Sequence, residues 1–160
     1  MSDDAQVIMD SLRRIVQALR RSSVRTEQIS PMTGAQALVL RHVGAREGLS
    51  VNDLAGLTFT HQSTVSEVVG RLEAAGLLIR RRAADDGRRV ELQLTDAGRA
   101  VQADLESTAQ EGLMEALNRL PIVTLKALAT GLEAWTVEAG LGVEPAVMFF
   151  EPDASDGAKK

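Results

Sequence analysis

The sequence predicts a mainly α-helical protein that carries one small β-hairpin. Three observations predict it. Apolar residues recur at spacings of three and four through most of the chain, which sets them on one side of a helix. A single stretch, Leu77 to Gly98, holds two β-prone runs, Leu77–Arg82 and Val90–Thr95, around a turn-forming tip of Ala83-Ala84-Asp85-Asp86-Gly87; Asp-Gly between such runs marks a hairpin. Immediately before it lie a short helix, a tight turn and a second helix, so the unit reads as a winged helix-turn-helix.

Composition narrows the chemistry. With 44% hydrophobic and 2% aromatic residues, the core must be built from Leu, Val, Ile, Ala and Met. The absence of cysteine excludes disulfides, thiolate chemistry and cysteine-bound zinc. The two histidines, His42 and His61, are too few for an ordinary histidine metal site, and no cofactor is expected. No apolar run reaches the roughly 18–20 residues of a membrane span. The opening MSDDAQ is acidic and lacks the apolar centre of a signal peptide, so a cytoplasmic protein without membrane partners is expected. The net charge of −4 is unevenly placed: residues 100–160 hold ten acidic and four basic side chains, which leaves the first 99 residues net positive. A local patch, rather than the total, decides where a polyanion docks.

The elements follow in order. Residues 4–25 read as a helix with Ile8, Leu12, Ile15 and Leu19 on one stripe. Its arginines, Arg13, Arg14, Arg20 and Arg21, form either a solvated face or a contact for an anion. Ser30-Pro31 interrupts the chain. Thr33 and Gln36 then fit a capping box, which opens a helix through Leu38, Val39, Leu40 and Val43 that stops near Gly44–Gly48. Ser50 and Asp53 cap a short helix, Val51–Leu57, expected to bury Val51, Leu54 and Leu57. After Thr58-Phe59-Thr60 a third helix runs from about His61 to Ala75 and ends at Gly76. Thr95 caps a long helix, about 96–119, expected to turn Val101, Leu105, Leu113, Leu117 and Leu120 inward. Pro121 starts the last helix, about 122–139, with Leu125, Leu128, Leu132 and Trp135 at helical spacing. This seam exceeds what one small core needs, so part of it should meet another chain; Trp135 is either such an interface residue or a ligand-stacking ring. Met148-Phe149-Phe150 should dock on this subunit or a partner. Residues 151–160 have the composition of a disordered tail.

The third helix carries the first candidate site. Val65, Val68, Val69 and Leu72 form its buried side, which leaves Ser63, Ser66, Glu67 and Gly70 opposite, Arg71 at the edge, and His61, Gln62 and Thr64 in the first turn. A recognition helix enters the major groove with its first turns against the base edges. Gln62 can pair with adenine, and Ser63 and Ser66 with bases or phosphates. His61 is either a DNA contact or a surface residue at the helix start. Gly70 allows either close approach to DNA or tight helix packing. The second candidate site is the hairpin. Arg80, Arg81, Arg82, Arg88 and Arg89 suit phosphates or a narrow minor groove, and Asp86 can hold Arg88 across the turn.

The chain resembles the MarR family of regulators. The resemblance runs through Leu54-Ala55, Ser63-Thr64-Val65-Ser66, Val69, Leu72-Glu73 and Gly76-Leu77. It continues through Asp86-Gly87-Arg88-Arg89, Leu92, Leu94-Thr95 and Gly98, and covers about residues 30–140. It implies a homodimer whose first and last helices intertwine, with two winged lobes on a pseudo-palindromic DNA site. Arg88 would then reach the minor groove, braced by Asp86, while Arg89 would contact phosphate or stabilise the wing. It also implies a pocket for a small aromatic or anionic effector. Arg13, Arg20, Arg41 and His42 are candidates to receive the effector. The cysteine and the histidine-rich site of the peroxide-sensing and zinc-sensing branches are missing.

The expected organisation is a helical dimerisation region from residues 1–29 and 100–150, with a DNA-binding lobe at 30–99. Ile8, Leu12, Ile15, Leu19, Leu125, Leu128, Leu132, Trp135, Phe149 and Phe150 are the interface candidates. The expected function is a sequence-specific, ligand-responsive repressor acting as a homodimer on double-stranded DNA. The alternatives are an activator and a winged-helix module that binds protein. No nucleophile with a base, metal site or phosphate loop supports an enzyme.

Overall fold

The structure is a computed structural model describing residues 3–29, 31–46, 48–83, 88–105, 107–142, 146, 148 and 149. Helix α1 spans Asp3–Ile29, α2 Gly34–Ala45, α3 Val51–Leu57 and α4 Gln62–Ala74. Strands β1 (Leu78–Arg82) and β2 (Val90–Leu94) follow, then α5 (Asp96–Asp104), α6 (Ala109–Arg119) and α7 (Ile122–Glu138).

Local capping sets the helix starts. Thr33 accepts from the Gln36 amide while the Gln36 side chain accepts from the Thr33 amide. Ser50 and Asp53 repeat this reciprocal arrangement at α3, and the Thr95 hydroxyl accepts from the Gly98 amide at α5. Each such cap satisfies amides that the first helical turn leaves without a carbonyl.

The core lies between α2, α3, α4 and the hairpin. Leu38, Val39, Leu40, Leu54, Val65 and Val69 are fully buried there, joined by Leu72, Leu78 and Leu92. The strands pair antiparallel, with Leu78 opposite Leu94 and Arg82 opposite Val90. Gly98 closes the lobe. A Cβ there would run into the Leu77 carbonyl oxygen, the acceptor for the Thr95 amide, so the hairpin and α5 meet at a distance only glycine allows.

Three expectations change, and one that was open is decided. The long helix expected over 96–119 is two helices. Thr108 and Glu111 form a third capping box that restarts the helix, and Arg41 of α2 takes the Leu105 carbonyl at the elbow. In α3, Leu57 is exposed and Ala55 is buried in its place, since a seven-residue helix turns only one narrow face to α4. Leu19, expected on an interface stripe, is buried within the protomer at 5% exposure, because α1 rests on α2 and α6. Met148 returns to the core at 2% exposure, so the apolar segment docks on its own subunit at that residue, while Phe149 stays half exposed. Phe150 and the tail at 151–160 lie outside the described residues. Among those described, no helix is long and apolar enough to cross a membrane.

Candidate nucleic-acid interface

The two helices of the helix-turn-helix are joined by a glycine-type turn without a glycine. The Thr60 amide bonds the Ala55 carbonyl at 3.0 Å and the Phe59 amide reaches the Gly56 carbonyl at 3.4 Å. This is the bond pair of a helix end whose next residue turns left-handed. That residue is Phe59, at φ 51°, the one non-glycine positive φ among the described residues. For an L-residue with a Cβ the conformation costs roughly 1–2 kcal/mol. The neighbouring Thr58 hydroxyl donates to the Leu54 carbonyl at 2.7 Å and is buried, so the turn is otherwise well satisfied.

From this turn α4 projects its first residues outward. Val65, Val68, Val69 and Leu72 are buried as expected. His61, Gln62, Ser63 and Glu67 are exposed, and Thr64, Ser66 and Arg71 half-buried. His61 occupies the cap position without a side-chain cap bond. Gly70 is exposed and an added Cβ would meet nothing within 4 Å. Tight helix packing therefore does not explain Gly70.

The wing is fastened to this unit at three places. The Leu92 amide donates to the Leu49 carbonyl at 2.8 Å, which adds the loop before α3 to the edge of the sheet. Arg89 donates from Nη2 to the Gly48 carbonyl at 2.8 Å and pairs with Glu91 Oε1 at 2.9 Å. Arg80 pairs with Glu73 of α4 at 3.1 Å. Arg81, Arg82 and Arg88 are exposed. Of the five arginines, Arg80 and Arg89 thus hold the wing against the helices, a role the spacing of the sequence does not reveal because Gly48 lies 41 residues from Arg89. Asp86, with Ala84, Asp85 and Gly87, lies outside the described residues.

The effector candidates do not converge. Arg13 pairs with Asp10 on the exposed face of α1 at 2.5 Å, and Arg20 is exposed on α1. Arg41 donates from Nε to both Glu111 carboxylate oxygens, at 2.8 and 3.0 Å, and from Nη1 to the Leu105 carbonyl at 2.8 Å. Burial works to raise the Glu111 pKa, but the bonds from Arg41 and the Thr108 amide outweigh it and hold the carboxyl below its ordinary value. Beside this pair, burial lowers the His42 pKa and Arg41 adds to the effect, against the opposing pull of Glu111. The His42 Nε2 is buried without a hydrogen-bond partner. A cleft of about 410 Å³ opens nearby, between α1 and the α5–α6 elbow. Its basic residues are Arg21 and Arg25, with Ser22, Thr26, Leu105 and Thr108 completing the walls. Of the four effector candidates, none lines this cleft.

A polar helix set beyond a tight turn, with an arginine hairpin fastened beside it, defines the winged helix-turn-helix class. Residues 30–89, within this lobe, match the sequence model of the MarR family. The chain is 36% identical over 75 residues to the HTH-type transcriptional regulator TtmR of Methylorubrum extorquens (strain PA1), which covers 47% of this chain and 38% of that protein. It is 29% identical over 104 residues to the HTH-type transcriptional regulator FarR of Neisseria gonorrhoeae, covering 63% of this chain and 71% of that one. The match thus spans about two fifths of the first relative's length. The fold is shared with Streptococcus pneumoniae FabT in complex with DNA. That comparison has a TM-score of 0.57 at 17% identity and covers 85% of this chain and 97% of the other.

Proposed function

We propose that this protein is a non-enzymatic transcriptional regulator that binds a pseudo-palindromic DNA site as a homodimer and represses until an effector releases it. The observation that carries the reading is the pairing of the exposed polar turn of α4 with exposed Arg81, Arg82 and Arg88 on a wing locked to the same lobe. Gln62, Ser63 and Ser66 read bases in the major groove. Arg88 supplies the wing's reach toward the adjacent minor groove, and Arg89 positions the wing.

The chain ends support the dimer. Helix α7 has no buried residue over 17 positions, although Ile122, Val123, Leu128, Leu132, Trp135 and Val137 lie along it. Val7, Ile8, Leu12, Ile15 and Val16 are likewise exposed on α1. Helices this apolar are stable in water when another surface covers them. A second copy would do so and set two recognition helices about 34 Å apart, one turn of DNA. The cleft bearing Arg21 and Arg25 suits a small anionic effector. It lies between α1 and the α5–α6 elbow, and Arg41 of the lobe holds that elbow through Leu105 and Glu111, so a ligand wedged there would act on the lobe through this joint and change the spacing. Reversing occupancy from 99:1 to 1:99 requires roughly 5.5 kcal/mol of preference for one spacing.

A salt titration on duplex DNA tests the reading. Affinity should fall steeply with salt, with log K against log[salt] sloping by about −0.9 for each phosphate neutralised. Arg88→Ala should weaken binding and flatten that slope by about one per lobe. A concentrated sample that ignores DNA at low salt overturns the proposal. Unchanged affinity in the Arg88→Ala protein removes the wing from it.

A further inference from the structure

We infer that Phe59 is a base-reading residue of the helix-turn-helix, packing its ring on a thymine methyl in the major groove. The inference rests on the DNA-binding reading above and adds a contact that the polar pattern of α4 does not contain. Phe59 occupies the left-handed position after α3, where the Thr60–Ala55 and Phe59–Gly56 bonds call for glycine. It is nevertheless a large apolar side chain, and it is 59% exposed. Neither the backbone nor the core gains from the ring: the backbone is strained by any Cβ, and the ring is mostly in water. Strain of this kind persists where a site needs it.

Its place indicates the need. Phe59 stands two residues before His61, the cap of α4, and three before Gln62, at the end of the helix that meets base edges first. The major groove offers one apolar feature, the thymine 5-methyl group, and a phenyl ring is among the side chains suited to it. Among the polar neighbours in that turn, His61, Gln62 and Ser63 carry no methyl group, and Thr60, which does, is half-buried with its hydroxyl donating to the Thr58 carbonyl. The exposed ring supplies the missing chemistry.

The Phe59→Gly protein separates this role from a structural one. A preferred duplex is first selected from random DNA with the unaltered full-length protein, and a copy is made with deoxyuridine for thymidine, which deletes only the methyl groups. Phe59→Gly should raise the melting temperature by roughly 2–4 °C as the turn relaxes. It should also lower affinity for the thymine duplex on the order of tenfold. The unaltered protein should lose similar affinity on the uracil duplex, and the Phe59→Gly protein should bind both duplexes alike. Equal affinity of the two proteins for the thymine duplex overturns the inference, as does a Phe59→Gly loss that is the same on thymine and uracil DNA. If the unaltered protein selects no duplex, the underlying DNA-binding reading is what fails.

Discussion

The winged lobe and the two terminal helices are built from similar apolar residues, yet they end in opposite states. In the lobe Leu38, Leu40 and Leu54 have no exposure, while on α7 Leu128 and Leu132 are 40% and 47% exposed. The lobe completes its core from elements within one chain. The N-terminal half of α1 and the whole of α7 present apolar faces that this chain does not cover. The winged lobe is therefore self-sufficient in apolar contacts, and the terminal helices are not.

The sharpest way to break this contrast is to delete equivalent leucines from each side. Leu54→Ala should destabilise the protein by about 2–5 kcal/mol, because it leaves a cavity in a closed core; denaturant unfolding reads it. Leu132→Asp should leave the lobe folded but shift sedimentation toward the monomer and remove the concentration dependence of the melting temperature. If instead Leu132→Asp sediments as the unaltered protein does, the exposed seam is not the dimer contact.

The next effect lies at the joint. Arg41→Ala strands the half-buried Glu111 carboxylate and releases the Leu105 carbonyl. It should cost roughly 2–3 kcal/mol, with faster hydrogen exchange at the first turn of α6. Exchange rising evenly over the molecule would mean that the elbow is not a separate unit.

Acid should loosen the same joint in two stages. His42 titrates lower in the folded state than its unfolded value of 6.5, so the unfolded chain takes up the proton first. Stability is therefore full above that value and declines as pH falls below it. Glu111 is likewise depressed, below 4.5, and its contribution disappears on further acidification through the folded value. His42→Leu should abolish the upper decline and Glu111→Gln the lower, as read from unfolding midpoints across roughly pH 3–8, a window that spans both ordinary values. The smallest effect belongs to the wing. Arg80→Ala removes a partly exposed pair with Glu73 and should cost less than about 1 kcal/mol of stability.

Much of the fold was legible in the residues. The capping pairs Thr33–Gln36 and Ser50–Asp53 mark helix starts because donor and acceptor lie three residues apart. The buried side of α4 follows from its helical spacing alone. The same logic reaches the α5–α6 break, since Thr108-Ala109-Gln110-Glu111 is a capping pattern of the same form; the apolar periodicity running through it argued for a continuous helix and hid it. The strain at Phe59 was not legible, because a phenylalanine in a turn carries no sign that its φ is positive.

What the sequence by itself determined is everything settled within a turn or a strand pair: the helix starts, the hairpin, the polar outward side of α4 and the crowding of arginines after it. Those outcomes depend on groups a few residues apart, whose distance is set by backbone geometry. Tertiary structure alone decided which apolar stripe is covered, and so separated Leu19 from Ile15 on one helix. It also brought Arg41 to Glu111 across 70 residues and Arg89 to the Gly48 carbonyl across 41. Such pairings depend on how whole elements pack, and an arginine's charge does not record whether its partner will be a phosphate, a carboxylate or a carbonyl of its own chain.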